Sequence, residues 1–269
     1  MKIAISQLNS NDEISANLHS MQQAILQASD EQAEIVFFPE NALYFRISNT
    51  DKVKPIKIDG FEIETLSEFC KEHSIAAHFT TAFEEAGAVY NASMLIDKNG
   101  AAQKLYNKMH LFDIELTGQA PIRESDSFVH GAEPVVFEYG GFKFASSICY
   151  DIRFAELYSV YAKSEVDVIL VPAAFLVKTG IAHWEVLLRA RAIESQCYVV
   201  APAQHGVHRS KGSTSTRETY GHSMVVGPWG DILALKKDGI GLLLVEINRD
   251  EIKKVRAQIP MRSHRRSVF

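Results

Sequence analysis

The stretch FKFASSICYDIRFAELYSVY, from Phe142 to Tyr161, changes its hydrophobic periodicity at Cys149. Up to Ile148 it has the apolar, β-favouring composition of a strand, whereas apolar residues recur at helical spacing from Phe154 onward. A strand that turns into a helix presents the residue at the turn at the strand's carboxyl end, beside backbone N–H groups. The stretch therefore predicts an α/β fold in which Cys149 occupies a strand-to-helix turn.

Strand-like and helix-like runs alternate on both sides of this turn. The predicted strands cover residues 2–8, 34–38, 75–83, 89–96, 101–106, 134–139, 142–148, 166–171, 198–203, 222–226 and 241–247. The predicted helices follow residue 12 and cover about residues 63–70, 154–161, 183–195 and 249–258. Asn99-Gly100 and Gly140-Gly141 indicate hairpin turns. The alternation predicts a layered α/β fold, and because no Pro/Gly/Ser-rich linker interrupts it, we expect one domain over residues 1–269.

Composition and charge narrow the class of protein. The chain has 269 residues with 46% hydrophobic and 23% charged residues, which is ordinary for a globular protein. Its formal net charge of −5 provides no basic footprint, so we expect no nucleic-acid partner. No apolar run approaches the roughly 18 residues that span a bilayer, so we expect no membrane partner. The N-terminal sequence MKIAISQLNSNDE predicts a first strand and not a signal peptide.

The cysteines and histidines are not arranged as ligands or as a disulfide framework. Cys70, Cys149 and Cys197 are an odd number and form no CxxC pair, and the ten histidines show no HExxH spacing. We therefore expect no metal, no cofactor and a reducing, cytoplasmic location in which a free thiol survives.

Glu40, Lys108 and Cys149 together supply the groups that acyl transfer needs. A cysteine attacks the acyl carbon, a carboxylate shuttles the proton and an ammonium stabilises the oxyanion. Glu40 ends the run IVFFPE and Lys108 follows a strand in LYNKMHLFD, while the helix terminus at Cys149 is expected to favour its thiolate. Each residue alone also fits a structural role, as a core thiol or a solvated charge.

Three sequence motifs resemble the signatures of the nitrilase superfamily. They are FFPENAL around Glu40, YNKMHLFD around Lys108 and SSICYDIRFAELY around Cys149. The likeness extends over nearly the whole chain, including VPAAF, AHWEVLLRARAIESQCYVVAPAQ and YGHSMVVGPWGDIL. It implies a four-layer α-β-β-α sandwich that forms a homodimer, with the layers continuing across the partner.

The resemblance also implies roles for individual residues. Glu40, Lys108 and Cys149 would be the catalytic triad, and the backbone N–H of Tyr150 would join Lys108 in the oxyanion hole. A second active-site glutamate is expected between the lysine and the cysteine. It would be Glu124 in PIRESDSF, with Glu115 in DIELTG as the less favoured alternative. Both glutamates also fit the role of exposed loop carboxylates.

The residues that follow the nucleophile narrow the expected reaction. Nitrilases typically have Cys-Trp-Glu, whereas this chain has Cys149-Tyr150-Asp151, the amidase-like form. The closest likeness is to the Nit branch, which implies cleavage of an amide of a five-carbon 2-oxo dicarboxylic acid through a cysteine thioester. Deaminated glutathione is the favoured substrate. The alternatives are omega-amidase activity on 2-oxoglutaramate, a broader aliphatic amidase or N-carbamoyl hydrolase, and a catalytically silent binding subunit of the same fold.

The acidic acyl group of such a substrate needs a cationic anchor. Arg46, Arg123 and Arg209 adjoin the motifs and are the predicted anchors. The segment RSKGSTSTRET, residues 209–219, is polar and rich in Gly, Ser and Thr, which favours either a surface loop or a lid that contacts the substrate.

Overall fold

The computed structural model describes residues 1–48, 51–115 and 121–266. In these ranges the strands are β1 Lys2–Gln7, β2 Ile35–Phe37, β3 Ala76–Glu85, β4 Ala88–Ile96, β5 Ala102–Asn107, β6 Asp113–Ile114, β7 Ile122–Arg123, β8 Val135–Tyr139, β9 Phe142–Ser146, β10 Val168–Leu170, β11 Tyr198–Ala201, β12 His205–Arg209, β13 Thr216–Tyr220, β14 Ser223–Val226, β15 Ile232–Lys236 and β16 Gly241–Glu246. The helices are α1 Ile14–Asp30, α2 Phe61–Glu72, α3 Ala155–Lys163, α4 Val177–Ser195, α5 Arg249–Gln258 and α6 Met261–His264.

Two six-stranded sheets form the centre of the fold. The first has the order β16-β1-β2-β3-β4-β5 and the second has the order β15-β14-β11-β10-β9-β8. Three neighbouring strands are parallel in each sheet, β1-β2-β3 in the first and β9-β10-β11 in the second, and antiparallel strands flank them. The Gly140-Gly141 turn joins β8 to β9, and both glycines have positive φ, as a tight hairpin turn requires.

The two sheets pack face to face, and helices cover their outer faces. Because successive strand residues point to opposite sides, Ile3 and Ile5 of β1 lie between the sheets while Ala4 faces α1 and α2. The same alternation holds in β10, where Ile169 packs against the layer of α3 and α4. The result is the predicted four-layer α-β-β-α sandwich, in which both faces of each sheet are buried.

The structure corrects three details of the sequence-based prediction. The helix predicted over residues 183–195 begins earlier, at Val177. Strand β15 was not predicted, because its residues ILALK are only partly buried and lack clear alternation. The predicted loop over residues 209–219 is largely a hairpin: β12 ends at Arg209 and β13 begins at Thr216. A two-stranded ribbon with one exposed face needs little apolar sequence, which explains why its composition resembled that of a loop.

Candidate active site

Three chain segments bring Glu40, Lys108 and Cys149 together where strands of both sheets end. Glu40 lies three residues after β2, and Lys108 follows β5 directly in the same sheet. Cys149 lies three residues after β9 of the second sheet and begins a five-residue 3-10 helix. The carboxyl ends of parallel strands share one edge of a sheet, and the face-to-face packing places the two edges together.

Lys108 is the centre of the charged cluster. Its Nζ lies 2.9 Å from Glu40 Oε1 and 2.8 Å from Glu124 Oε2. The lysine is 2% exposed, so an unpaired ammonium would be very unfavourable here. Burial alone would lower the pKa of Lys108, but Glu124 and Glu40 together raise that pKa well above its ordinary value. The side chain is therefore a permanently charged cation between two carboxylates.

Asn91 connects the two carboxylates from the other side. Its Nδ2 donates to Glu40 Oε1 over 2.9 Å and to Glu124 Oε1 over 3.1 Å. The backbone N–H of Phe112 donates to Glu124 Oε2 over 2.6 Å. Sequence reasoning did not single out Asn91, which lies within β4 and has no signal beyond its polar type in a buried strand. Its amide fixes both carboxylates in place, so each keeps a defined distance from Lys108.

Cys149 has a strained backbone and a neutral thiol. Its φ of 48° lies in the left-handed region, which is uncommon for a residue with a side chain and is typical of nucleophiles at sharp turns. Burial raises the pKa of the Cys149 thiol well above its ordinary value; Glu40 raises it further, and Lys108 lowers it. The expectation that the helix terminus favours the thiolate is therefore wrong for the resting site, because desolvation outweighs it.

Glu40 is held so that its carboxylate can exchange a proton with the thiol. Its Oε2 accepts a hydrogen bond from the backbone N–H of Ala174 over 3.0 Å, and its backbone oxygen accepts one from Gln204. Glu40 and Cys149 line the same cavity, and the negative charge of Glu40 contributes to the raised pKa of the Cys149 thiol. A carboxylate beside a thiol is the arrangement that general-base activation requires.

The two candidate second glutamates have different surroundings. Glu124 is buried and contacts Lys108, as described above. The Glu115 side chain is 77% exposed, and its partner is Arg123, at 4.0 Å. Of these two glutamates, Glu124 is therefore the one that lies beside Lys108, and its catalytic role remains a prediction.

Arginine side chains give the cavity beside Cys149 a cationic wall. Among the described residues that line it are Arg46, Arg153 and Arg217, together with the side chain of Tyr150. Of the three predicted anchors, Arg46 therefore lines the cavity, whereas Arg123 and Arg209 do not. Arg153 and Arg217 were not predicted from the sequence. The available signals were that Arg153 lies four residues after Cys149, and that one residue separates Arg217 from the threonine of the sequence RET.

Two further features are absent from the part of the chain that the structure describes. No group of three or more His, Cys, Asp or Glu residues within ranges 1–48, 51–115 and 121–266 has the arrangement of a metal site. In the same ranges, no helix is both long and apolar enough to cross a membrane.

Comparison with known proteins identifies the family. The carbon–nitrogen hydrolase family matches residues 2–257. The deaminated glutathione amidase of Synechocystis sp. is 38% identical over an alignment of 269 positions, which covers 97% of this chain and 97% of that protein. The Caenorhabditis elegans nitrilase and fragile histidine triad fusion protein NitFhit is 36% identical over 98% of this chain, but the chain spans only 60% of the fusion protein's length.

The structural comparison agrees with the sequence comparison. The crystal structure of C. elegans NitFhit matches with a TM-score of 0.86 and 34% identity, over 98% of this chain and 65% of that chain. The chain therefore belongs to the carbon–nitrogen hydrolase family, as its resemblance to the nitrilase superfamily predicted. Within that family it is a cysteine-dependent amidase.

Proposed function

We propose that the enzyme hydrolyses deaminated glutathione to 2-oxoglutarate and cysteinylglycine. The observation that carries this proposal is the charge of the cavity. Among the residues that the structure describes, the cavity is lined by four cations, Lys108, Arg46, Arg153 and Arg217, and by the two carboxylates of Glu40 and Glu124, which leaves a surplus of two positive charges. This surplus exists in a chain whose formal net charge is −5, so it is a local property of the site.

The surplus fits a dianionic substrate. Deaminated glutathione has one carboxylate on the 2-oxoglutaryl part and one at the end of cysteinylglycine, whereas 2-oxoglutaramate has only one carboxylate. Guanidinium groups bind carboxylates by short, charge-assisted hydrogen bonds, which are stronger in a partly dehydrated cavity than in water. The name of the Synechocystis relative supports the same substrate.

In the proposed acylation step, Cys149 Sγ attacks the amide carbonyl carbon while its proton passes to Glu40. The carbonyl electron pair moves to the oxygen, and Lys108 with the backbone N–H of Tyr150 stabilises the resulting oxyanion. The carbon–nitrogen bond then breaks, and the leaving nitrogen takes the proton from Glu40. Cysteinylglycine departs, and a 2-oxoglutaryl thioester remains on Cys149.

In the proposed deacylation step, water attacks the thioester carbon while Glu40 accepts one of its protons. The carbon–sulfur bond breaks, and the thiolate takes the proton back from Glu40 as 2-oxoglutarate leaves. Glu124 does not exchange protons in this scheme. Its contribution is to hold Lys108 in position, which the 2.8 Å ion pair supports.

The test is steady-state kinetics on deaminated glutathione and 2-oxoglutaramate with one enzyme preparation. We expect kcat/KM to be at least about tenfold higher for deaminated glutathione, or ~1.4 kcal/mol of differential transition-state binding. A preference for 2-oxoglutaramate would instead assign omega-amidase activity. Turnover of simple aliphatic amides or N-carbamoyl compounds alone would leave only the amidase class.

The reactivity of Cys149 tests its proposed role as the nucleophile. Iodoacetamide should label Cys149 stoichiometrically, and a substrate-like amide should block the labelling. The Cys149→Ala protein is the control, because Cys70 and Cys197 are fully buried and do not line the cavity, whereas Cys149 does. The three free thiols also support a reducing, cytoplasmic location.

We also propose a homodimer formed through α4. Val186 and Ile193, which share one face of this helix, are 68% and 48% exposed, and Trp229 is 57% exposed. Arg189 Nε donates to the backbone oxygen of Gly230 over 2.8 Å, which holds the Trp229 turn beside the helix. An apolar patch of this kind is typical of an interface. Sedimentation should show a dimer that Val186→Asp dissociates, and a wild-type monomer would contradict the proposal.

A further inference from the structure

Arg217 is a cavity cation that the acyl-transfer steps do not use. Its guanidinium carbon lies 5.1 Å from the centroid of the Phe45 ring, and its Nη1 donates to the backbone oxygen of Arg46 over 3.3 Å. Arg46 Nη1 in turn donates to Ser127 Oγ over 2.7 Å. In the part of the chain that the structure describes, neither arginine has a carboxylate within 4.0 Å. Two neighbouring cations without an ion-pair partner in a cavity wall favour an anionic group on the ligand.

The hairpin β12–β13 holds Arg217 rigidly. Directly across the hairpin is His208, which packs 4.2 Å from the Phe45 ring. His208 Nδ1 must donate to the backbone oxygen of Ser10, at 2.7 Å, so Nε2 accepts from the Thr219 hydroxyl, also at 2.7 Å. Burial lowers the pKa of His208 to about 4, so this histidine adds no charge beside Arg217 at neutral pH.

The hairpin is also attached to the start of α4. The backbone N–H of Tyr220 donates to the backbone oxygen of Phe175 over 2.9 Å. Gly180 packs against the Tyr220 ring so closely that an added Cβ would lie 2.3 Å from its Cγ. Arg217 therefore belongs to a fixed part of the cavity wall and needs no movement of the hairpin to reach a ligand.

Arg217 contacts the segment that follows Glu40. Its two contacts, Phe45 and Arg46, belong to this segment. Burial lowers the pKa of the Arg217 guanidinium, and Glu40 is the strongest of the carboxylates that oppose this shift. Arg153, by contrast, lies over the rings of Tyr150, which follows Cys149, and Phe175. Arg217 and Arg153 thus contact two different parts of the cavity wall.

The proposed chemistry decides which part of the substrate lies beside Arg217 and which part lies beside Arg153. Glu40 must give its proton to the leaving nitrogen, so the leaving group departs on the Glu40 side. Resting on the proposed function, we propose that Arg217, together with Arg46, binds the terminal carboxylate of the cysteinylglycine leaving group. Arg217 is then the residue that favours deaminated glutathione over amides that release ammonia.

The test compares three amides: deaminated glutathione, its analogue with the terminal carboxylate converted to a carboxamide, and 2-oxoglutaramate. Removing a charge-assisted hydrogen bond reduces binding roughly 10- to 100-fold. We therefore expect Arg217→Gln to lower kcat/KM for deaminated glutathione by that factor. The loss should exceed the loss on each of the other two amides at least about tenfold. Arg217→Lys, which keeps the charge, should recover part of it.

Arg209→Gln is the matched control. Arg209 belongs to the same hairpin but is exposed, and its side chain alternates with that of His208 to the opposite face. Equal losses on all three amides in Arg217→Gln would place Arg217 at the acyl part of the substrate and overturn the proposal. An unchanged preference in Arg217→Gln would overturn it as well.

Binding to the Cys149→Ala protein separates this proposal from the proposed reaction. Calorimetry would measure the affinity of that protein for deaminated glutathione and for its carboxamide analogue, without turnover. In one outcome, the wild-type enzyme cleaves neither amide, while the Cys149→Ala protein binds the carboxylate at least about tenfold more tightly than the carboxamide and Arg217→Gln abolishes this preference. That result would support the anion site and contradict the proposed reaction. Equal affinity for both compounds overturns the anion site.

Discussion

The Tyr106 hydroxyl donates to Asp151 Oδ2 over 2.8 Å, and both groups are buried. The same carboxylate oxygen accepts from the backbone N–H of Ile148, while Oδ1 accepts from the backbone N–H and the ring Nδ1 of His110. Asp151 lies two residues after Cys149, and Tyr106 lies two residues before Lys108. This carboxylate therefore fixes the lysine segment of one sheet to the cysteine turn of the other.

Replacing Tyr106 should impair catalysis without removing any reacting group. Tyr106→Phe removes the bond to Asp151 and the bond that the hydroxyl accepts from Met109 N–H. We expect kcat to fall by roughly 10-fold, as small displacements of reacting groups do, with KM nearly constant. Tyr158→Phe is the control, because its hydroxyl bonds Ser147 and not the lysine segment. Similar kcat values in both variants would contradict this positioning role.

Each residue of the proposed triad should be required for turnover. Cys149→Ala removes the nucleophile and should abolish hydrolysis, while near-ultraviolet circular dichroism stays native. Glu40→Gln and Lys108→Met should each lower kcat at least ~100-fold, the usual scale for a general base or an oxyanion donor. Substantial hydrolysis by Cys149→Ala would eliminate the thioester mechanism.

The two candidate second glutamates make a matched pair. Glu124→Gln removes one of the two charges that hold the buried Lys108 and should lower kcat at least about 10-fold, while labelling of Cys149 persists. Glu115→Gln should be nearly silent, because Glu115 is exposed. Wild-type kinetics in both variants would show that neither glutamate belongs to the site.

The ionisation of Cys149 should respond in opposite directions to its two charged neighbours. The negative charge of Glu40 raises the pKa of the thiol and the positive charge of Lys108 lowers it. Glu40→Gln should therefore lower the pKa of Cys149, so that thiolate appears at lower pH, and Lys108→Met should raise it. Ultraviolet absorbance of the thiolate against pH, with the Cys149→Ala trace subtracted, measures both shifts. A higher pKa in Glu40→Gln would refute this electrostatic account.

The sequence predicted the layers better than the contacts within the site. Strand and helix periodicity is a local property, so most strands and the turn at Cys149 could be placed. The cationic wall could not, because Arg153 and Arg217 come to line the same cavity only through the packing of distant segments. Arg209 and Arg217 both belong to the polar hairpin, and strand alternation places their side chains on opposite faces. A segment that is predicted to be a loop provides no such alternation. The single domain over residues 1–269 and the catalytic roles remain predictions.

The site is shared between the two sheets, since Glu40 and Lys108 follow strands of the first and Cys149 follows a strand of the second. A nascent or refolding chain in which one sheet has formed therefore has reactive groups but no catalyst. After dilution from denaturant, we therefore expect amide hydrolysis to recover only when the two sheets have docked. The far-ultraviolet circular dichroism signal, which follows strand and helix formation, should recover earlier. An enzyme built in this way gains its activity at a late step of folding.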